Sequence, residues 1–96
     1  YLGVIQSAKG KLIAQALSGQ PGKGFPAGIL RTVHRKLAML DAAATLDDLR
    51  APPANRLEAL SGDRAGQHSI RVNDQWRLCF IWTSQGPIEV ELVDYH

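Results

Sequence analysis

Arginine is the residue type whose distribution in this chain most suggests a chemical role. Five arginines and no lysine lie between residues 50 and 77, namely Arg50, Arg56, Arg64, Arg71 and Arg77. The guanidinium group is planar and presents a fork of donors that fits a phosphate, which the ammonium group of lysine does not. The segment therefore suggests a phosphate-bearing partner, although ordinary solvated surface charge is the simpler interpretation of the charges alone.

Acidic, phenolic and imidazole side chains accompany these arginines in the second half of the chain. Glu58 lies within the arginine-rich segment, and Asp94, Tyr95 and His96 follow one another at the end of the printed sequence. Such groups can donate or accept protons, as general acid–base catalysis requires. The alternative for the last residues is a frayed terminus without a role.

The histidines and the cysteine do not predict a metal site. His34, His68 and His96 are scattered, and Cys79 is the single cysteine, so no spacing typical of metal ligands is present. We therefore expect no metal and no cofactor, and we interpret Cys79 as a packing residue within a strand. A lone cysteine cannot form an internal disulfide, which fits a reducing cytosol.

Length and composition predict an ordinary globular domain spanning residues 1–96. The chain has 96 residues, of which 45% are hydrophobic and 21% charged. No apolar run approaches the roughly 18 residues that span a bilayer, and no leader peptide is recognisable, so we expect a cytoplasmic protein without a membrane partner. The net charge of +2 disfavours a free RNA-binding domain, because unaided RNA binding depends on many phosphate contacts.

Helices are predicted in the first half of the chain, at residues 9–18 and 27–44, after a possible short strand at 2–7. The second helix carries one apolar stripe at steps of three and four, formed by Ile29, Leu30, Val33, Leu37, Leu40 and Ala44. Arg31, Arg35 and Lys36 lie off this stripe, where a solvated face is the simpler interpretation and RNA contact the alternative. Thr45 and Asp48 predict a short capped helical turn.

Strands are predicted in the second half, at residues 56–60, 67–72, 76–82 and 88–95, with turns at 73–75 and 84–87. Alternation along the third of these places one set on the apolar face, namely Trp76, Leu78, Phe80 and Trp82, and Arg77 on the other face. In the last strand, Ile88, Val90 and Leu92 are predicted to share the apolar face.

The elements together predict an α+β fold in which two N-terminal helices pack on one face of a small, mainly antiparallel twisted sheet. Helices cover the apolar side of such a sheet and leave the other side open. The open face is predicted to carry Glu58, Arg71, Arg77 and Tyr95, with Asp94 and His96 at its end.

The segment from Leu60 to Arg77 follows the pattern LxGDRxGxxSIRVNxxWR, and the sequence closes on Asp-Tyr-His. In this order and spacing, the two motifs resemble the HigB branch of the RelE toxin superfamily, over residues 4–96. The resemblance implies a metal-free ribonuclease that cleaves mRNA in the decoding site of the ribosome. It also implies a helix-turn-helix antitoxin of the HigA type as partner, with operator DNA reached only through that antitoxin.

The resemblance also implies roles for individual residues in a reaction where the ribose 2′-hydroxyl attacks the adjacent phosphate. Arg77 matches the arginine that stabilises the phosphate, and a structural salt bridge to Glu89 or Glu91 is its alternative. Arg64 is expected to clamp an RNA phosphate, unless it stabilises its loop through Asp63. Arg71 and His68 are expected to contact RNA.

Proton transfer is less clearly assigned by the resemblance. Some relatives carry histidine where this chain has Glu58, and lysine where it has Ser61. Glu58 or Asp94 is then the expected base, while His96 is expected to donate a proton and Tyr95 to stack or orient the phosphate. These two departures also leave an alternative function: a catalytically weak or inactive toxin-fold protein that acts as an antitoxin- or ribosome-binding module.

Overall fold

The computed structural model describes residues 10–18, 25, 28–51 and 53–94. The predicted strand at 2–7, most of the glycine-rich segment after the first helix, and the last two residues, Tyr95 and His96, lie outside the described residues. None of the helices in the described part is long and apolar enough to cross a membrane.

A four-stranded antiparallel sheet forms the second half of the chain, and its strands lie side by side in chain order. They are β1 (Glu58–Ala59), β2 (His68–Arg71), β3 (Trp76–Thr83) and β4 (Gly86–Asp94). Asn73 shapes the turn between β2 and β3, because its Oδ1 accepts hydrogen bonds of 2.8 Å from the N–H groups of Gln75 and Trp76. The α+β class is therefore confirmed.

Two α-helices precede this sheet among the described residues, α1 (Lys11–Ser18) and α2 (Leu30–Ala42). Both begin two or three residues later than predicted, and α2 ends two residues earlier. Their apolar side chains join those of one sheet face in a single core, which contains Ile13, Ala16, Val33, Leu37, Leu40, Ile70, Val72, Leu78, Phe80, Val90 and Leu92. A 3-10 helix (Leu46–Arg50) follows α2 and has the predicted capping box of Thr45 and Asp48.

Lys36 corrects the prediction for the polar side of α2, since it is buried rather than solvated, with 4% of its surface exposed. Its ammonium group donates a hydrogen bond to Oδ1 of Asn55, which lies in a second 3-10 helix (Pro53–Asn55). The sequence pattern missed this because the chain folds back over α2 at a point that no periodicity marks.

The first strand is shorter than predicted, because β1 begins at Glu58 and not at residue 56. Arg56 adopts a left-handed backbone conformation with φ of +46°, which a strand does not accept. The chain turns sharply at this residue, and only two residues remain to pair with β2.

The last strand contains a β-bulge opposite Phe80, where Glu89 has a φ of +50°. On one side of the bulge Cys79 pairs with Glu91, and on the other side Ile81 pairs with Ile88. Between these two pairs β4 therefore contains one residue more than β3. The extra residue moves Ile88 to the face of Ile81, and the prediction that Ile88 shares the face of Val90 and Leu92 is therefore wrong.

Candidate active site

The sheet face opposite the core, called here the polar face, gathers most of the predicted site residues. Directly paired residues of an antiparallel ladder point to the same side. The register therefore places two rows on this face: Glu58, Ser69, Cys79 and Glu91 in one, and Arg71, Arg77 and Val93 in the other.

Arg77 lies at the centre of the polar face and is largely buried there, with 9% of its surface exposed. Its Nε donates a 2.8 Å hydrogen bond to Oγ of Ser69, and its Nη2 donates a 2.7 Å hydrogen bond to the backbone carbonyl of Arg56. Two bonds from different nitrogens fix the plane of the guanidinium group. The predicted face is confirmed, but the side chain is held within the sheet surface and is not a loose surface charge.

A cavity of about 410 Å³, called here the basic pocket, opens beside Arg77 and is lined by Arg56, Arg71, Asn73, Asp74 and Arg77. Arg71 is the direct cross-strand partner of Arg77. Like charges placed opposite each other destabilise a sheet, and an anion bound between the two guanidinium groups would reduce that repulsion. The carboxylate of Asp74 pairs with Arg71 but is exposed, and exposed ion pairs contribute little. The pocket therefore suits an anion such as phosphate.

A second cavity of about 400 Å³, the loop pocket, is lined by Glu58, Ala59, Leu60, Ser61 and Arg64. Nη1 of Arg64 donates to Oε1 of Glu91 at 3.2 Å and to Oε1 of Gln67 at 3.1 Å. These bonds link the loop after β1 to β4, so the alternative pairing with Asp63 is wrong. The same bonds hold one nitrogen of Arg64 inward at the edge of the cavity.

Cys79 lies on the polar face between Ser69 and Glu91 of its row, and none of its surface is exposed. Burial raises the pKa of its thiol, Glu91 adds to the increase, and Arg64 and Arg77 oppose it. A thiol is a poor nucleophile in such surroundings. The interpretation of Cys79 as a packing residue is confirmed.

Two predicted site residues lie away from the polar face. His68 pairs with Phe80 and stacks on it with ring centroids 6.4 Å apart, on the side of the helices. Asp94 pairs with Trp76, one position out of step with Arg77, and its carboxylate accepts a 3.1 Å hydrogen bond from the Gln75 amide. The alternation of a strand places both residues on the side opposite to Arg77.

Two groups that hold Arg77 were missed by the sequence reasoning, the hydroxyl of Ser69 and the carbonyl of Arg56. Ser69 alternates with Arg71 along β2, so its place on the polar face was readable from the pattern. The carbonyl of Arg56 carries no sequence signal, since it depends on the turn before β1. Across the described ranges, no group of three histidine, cysteine or carboxylate residues is arranged to hold a metal ion.

Comparison with known proteins gives a family match and three relatives. The model of the family described as "RelE-like toxin of type II toxin-antitoxin system HigB" matches residues 13–96. Toxin HigB-1 of Vibrio cholerae is 53% identical over 58 residues, which is 60% of this chain and 61% of that protein. An uncharacterized protein of Haemophilus influenzae is 40% identical over 62 residues, 65% of this chain and 61% of its own length.

A more distant relative aligns along its whole length. Endoribonuclease HigB of Proteus vulgaris is 28% identical over 93 residues, which is 97% of this chain and 100% of that protein. The matches to the two more similar relatives span about three fifths of their length. Because the family model covers most of the chain, this protein belongs to the RelE-like HigB toxins of type II toxin–antitoxin systems.

Proposed function

We propose that this toxin is an endoribonuclease that cuts mRNA on the ribosome and thereby inhibits translation. One observation carries the proposal: a guanidinium fixed by two hydrogen bonds, that of Arg77, lines a basic pocket on the polar face of the sheet. Preorganised donors aimed at developing negative charge are the strongest common device of enzymes that act on phosphates. The name of the Proteus vulgaris relative, an endoribonuclease, supports the same activity.

In the proposed reaction, the ribose 2′-hydroxyl attacks the adjacent phosphate, and the bond from phosphorus to the 5′ oxygen breaks. Arg77 stabilises the charge that develops on the phosphate, and Arg71 contacts the RNA across the basic pocket. Arg64 contacts the strand beside the loop pocket. The arginines carry the phosphate charge, so the proposed reaction needs no metal.

Glu58 is the proposed base that removes the 2′ proton. It lies on the polar face opposite Ser69, the residue that binds Nε of Arg77. Glu58 and Arg77 therefore lie on the two strands that flank the strand of this serine. His68 and Asp94, which face the other way, are better assigned to packing and to the strand edge.

The end of the chain is proposed to complete the site, with His96 as proton donor and Tyr95 stacking on a base or orienting the phosphate. Val93 is the cross-strand partner of Arg77 and precedes both residues in the sequence. Ribosomal presentation of a single mRNA strand, held in line for attack, would supply the contacts that a protein of this size lacks.

A helix-turn-helix antitoxin of the HigA type is the proposed partner, and operator DNA is reached only through it. Membership of a type II toxin–antitoxin family supports this pairing. The protein is proposed to act in the cytoplasm, where ribosomes and mRNA are found.

Primer extension on an mRNA translated in a bacterial extract tests the proposal. Cuts that require both the toxin and ribosomes are expected, and Arg77→Ala should remove them. Arg50→Ala is the matched control, because Arg50 is exposed and pairs with exposed Asp47 across 2.9 Å. If soluble, folded toxin leaves the mRNA intact while still binding its antitoxin, the protein is a binding module and not a ribonuclease.

A further inference from the structure

Asn55 is fully buried at the point where the chain turns into β1, with 0% of its surface exposed. Its Nδ2 donates to the carbonyl of Leu49 at 3.2 Å and to that of Ala51 at 3.4 Å, and its Oδ1 accepts from Nζ of Lys36. This one side chain therefore ties the turn to α2 and to the preceding 3-10 helix.

The next residue, Arg56, has the left-handed conformation described above, which costs free energy in a residue with a side chain. Such a conformation persists where neighbouring contacts over-determine it. Asn55 holds it on one side, the pairing of Glu58 with Ser69 holds it on the other, and its own N–H donates to the Pro53 carbonyl at 3.1 Å. The result is a carbonyl that accepts the 2.7 Å bond from Nη2 of Arg77.

The burial of Lys36 shows that the contacts around Asn55 do not give the highest possible stability of the fold. Within the described ranges, the ammonium group of Lys36 binds a neutral amide and no carboxylate, and burial, followed by the charges of Arg35 and Arg71, lowers its pKa. A buried cation without a counter-charge costs free energy that an apolar residue would not. The contact between Lys36 and Asn55 is therefore better explained by a role in holding the backbone at Arg56 in place.

We propose that Asn55 and Lys36 are positioning residues for Arg77, which fix the Arg56 carbonyl so that the guanidinium group faces the basic pocket in one orientation. This inference rests on the proposed function of Arg77 for its catalytic consequence. Neither residue touches RNA in the proposal. Displacement of a reacting or stabilising group by about 1 Å can lower a rate by about 100-fold.

The Nε–Hε NMR signal of Arg77 tests the positioning directly and needs no substrate. Asn55→Ala and Lys36→Met are expected to shift this signal and to speed its exchange with water. Lys36→Gln, which keeps a donor for Oδ1 of Asn55 without the charge, is expected to restore most of the wild-type signal. Ile13→Ala, a core change in α1, is the control for general destabilisation and should leave the signal in place.

Cleavage on the ribosome tests the consequence. Asn55→Ala is expected to lower kcat at least 10-fold with a smaller change in KM, whereas Ile13→Ala, compared at a temperature where both are folded, should not. In an Arg77→Ala background the same Asn55 change should add less than twofold, because residues that act through one group are not additive.

The possible outcomes separate the inference from the proposed function. An unchanged Arg77 signal in folded Asn55→Ala and Lys36→Met proteins overturns the positioning role, whatever the cleavage rates are. A changed Arg77 signal together with full cleavage shows that the positioning of Arg77 by Asn55 and Lys36 does not serve catalysis. This result overturns the catalytic part of the inference. Normal cleavage by Arg77→Ala overturns the proposed catalytic role of Arg77, and intact mRNA with wild-type toxin overturns the proposed function, while in both cases the signal still decides whether Asn55 and Lys36 hold Arg77.

Discussion

Arg77 combines a structural and a chemical task in one side chain, and substitutions should separate the two. Arg77→Ala leaves the Ser69 hydroxyl and the Arg56 carbonyl without their donor. A loss of about 1–3 kcal/mol in the free energy of unfolding is expected, as for other buried groups that lose a partner. Cleavage should fall by about 100- to 1,000-fold, the usual effect of removing one preorganised donor.

Arg77→Lys is the informative second variant, because lysine keeps the charge and loses the fork. It should be folded and still impaired in cleavage. Urea unfolding and ribosome-dependent cleavage, measured on the same samples, check both values. Full activity of the lysine variant would mean that only the charge matters and that the two hydrogen bonds of Arg77 are incidental.

Cys79 provides a second test at the level of one residue. Burial raises the pKa of its thiol, so the thiolate, which is the reactive form, is scarce and shielded in the folded protein. Iodoacetamide at pH 8 should label Cys79 in urea within minutes and leave the native protein unlabelled over the same time. Rapid labelling of the native protein would show that the polar face opens at this position.

Individual residues of the site differ in how well the sequence predicted their positions and partners. Alternation was sufficient to put Arg71 and Arg77 on one face, because their strand register is regular. It could not show that Arg64 binds Glu91, since the two are 27 positions apart and meet only after the loop folds back. Nor could it show that Lys36 is buried, because its partner Asn55 lies in an irregular segment.

Among the elements, the 3-10 helix at Leu46–Arg50 makes a prediction about pH. The carboxylate of Asp48 accepts backbone hydrogen bonds from Thr45 at 3.0 Å and Ala44 at 2.9 Å, and these bonds lower its pKa below the usual 3.8. A carboxyl group whose pKa is lower in the folded state stabilises the fold above its unfolded pKa. That contribution is lost as the pH falls through the folded pKa.

The comparison of wild type with Asp48→Asn measures this effect. The thermal stability of the wild type should exceed that of the variant at pH 7, and the gap should shrink as the pH is lowered below 3.8. The amide signals of Ala44 and Thr45 should titrate together with the Asp48 carboxyl group. A gap that stays constant down to pH 2 would contradict the proposed cap.

The end of β4 carries the prediction about the last two residues. Leu92 is the last core side chain of the strand, so deletion of Tyr95 and His96 should leave the fold and antitoxin binding intact. Cleavage should be lost, and His96→Ala alone should lower it by about 100- to 10,000-fold, the range of a positioned general acid. Undiminished cleavage by the shortened chain would remove both residues from the mechanism.

The sequence predicted the boundaries of elements where its hydrophobic pattern is periodic. It did not predict them where the backbone departs from regular helix or strand geometry. The 3.6-residue period of α2 and the alternation of β3 identified both elements. The left-handed residues Arg56 and Glu89 changed the outcome, by shortening β1 and by moving Ile88 to the other face. Neither is glycine, the residue that marks such conformations in a sequence, so composition contained no warning of them.

For the whole molecule, an anion in the basic pocket should stabilise the folded state. Binding to the folded state alone contributes about 2.7 kcal/mol at 100 times the Kd. Inorganic phosphate should therefore raise the melting temperature. Phosphate also stabilises proteins in general, so the comparison is with Arg71→Ala, which removes one wall of the pocket. Equal shifts in both proteins would show that the pocket holds no anion.

The overall architecture was the most predictable level, because it depends on many residues at once. The apolar stripe of α2 and the alternating strands require helices on one side of an antiparallel sheet, and single errors such as Ile88 do not alter this solution. The site is more sensitive, since it depends on two or three hydrogen bonds whose partners are set by turns.

The order of the strands has a consequence for synthesis of the protein. The four strands that the structure describes each pair with their neighbours in the chain, so loop closure is short and the sheet can grow in the direction of translation. Yet β4 emerges after the other three, and it brings both Val90 and Leu92 to the core and Val93 to the side of Arg77. A nascent chain that stops before β4 therefore has an open sheet edge at β3, an incomplete core and no cross-strand partner for Arg77 on that side.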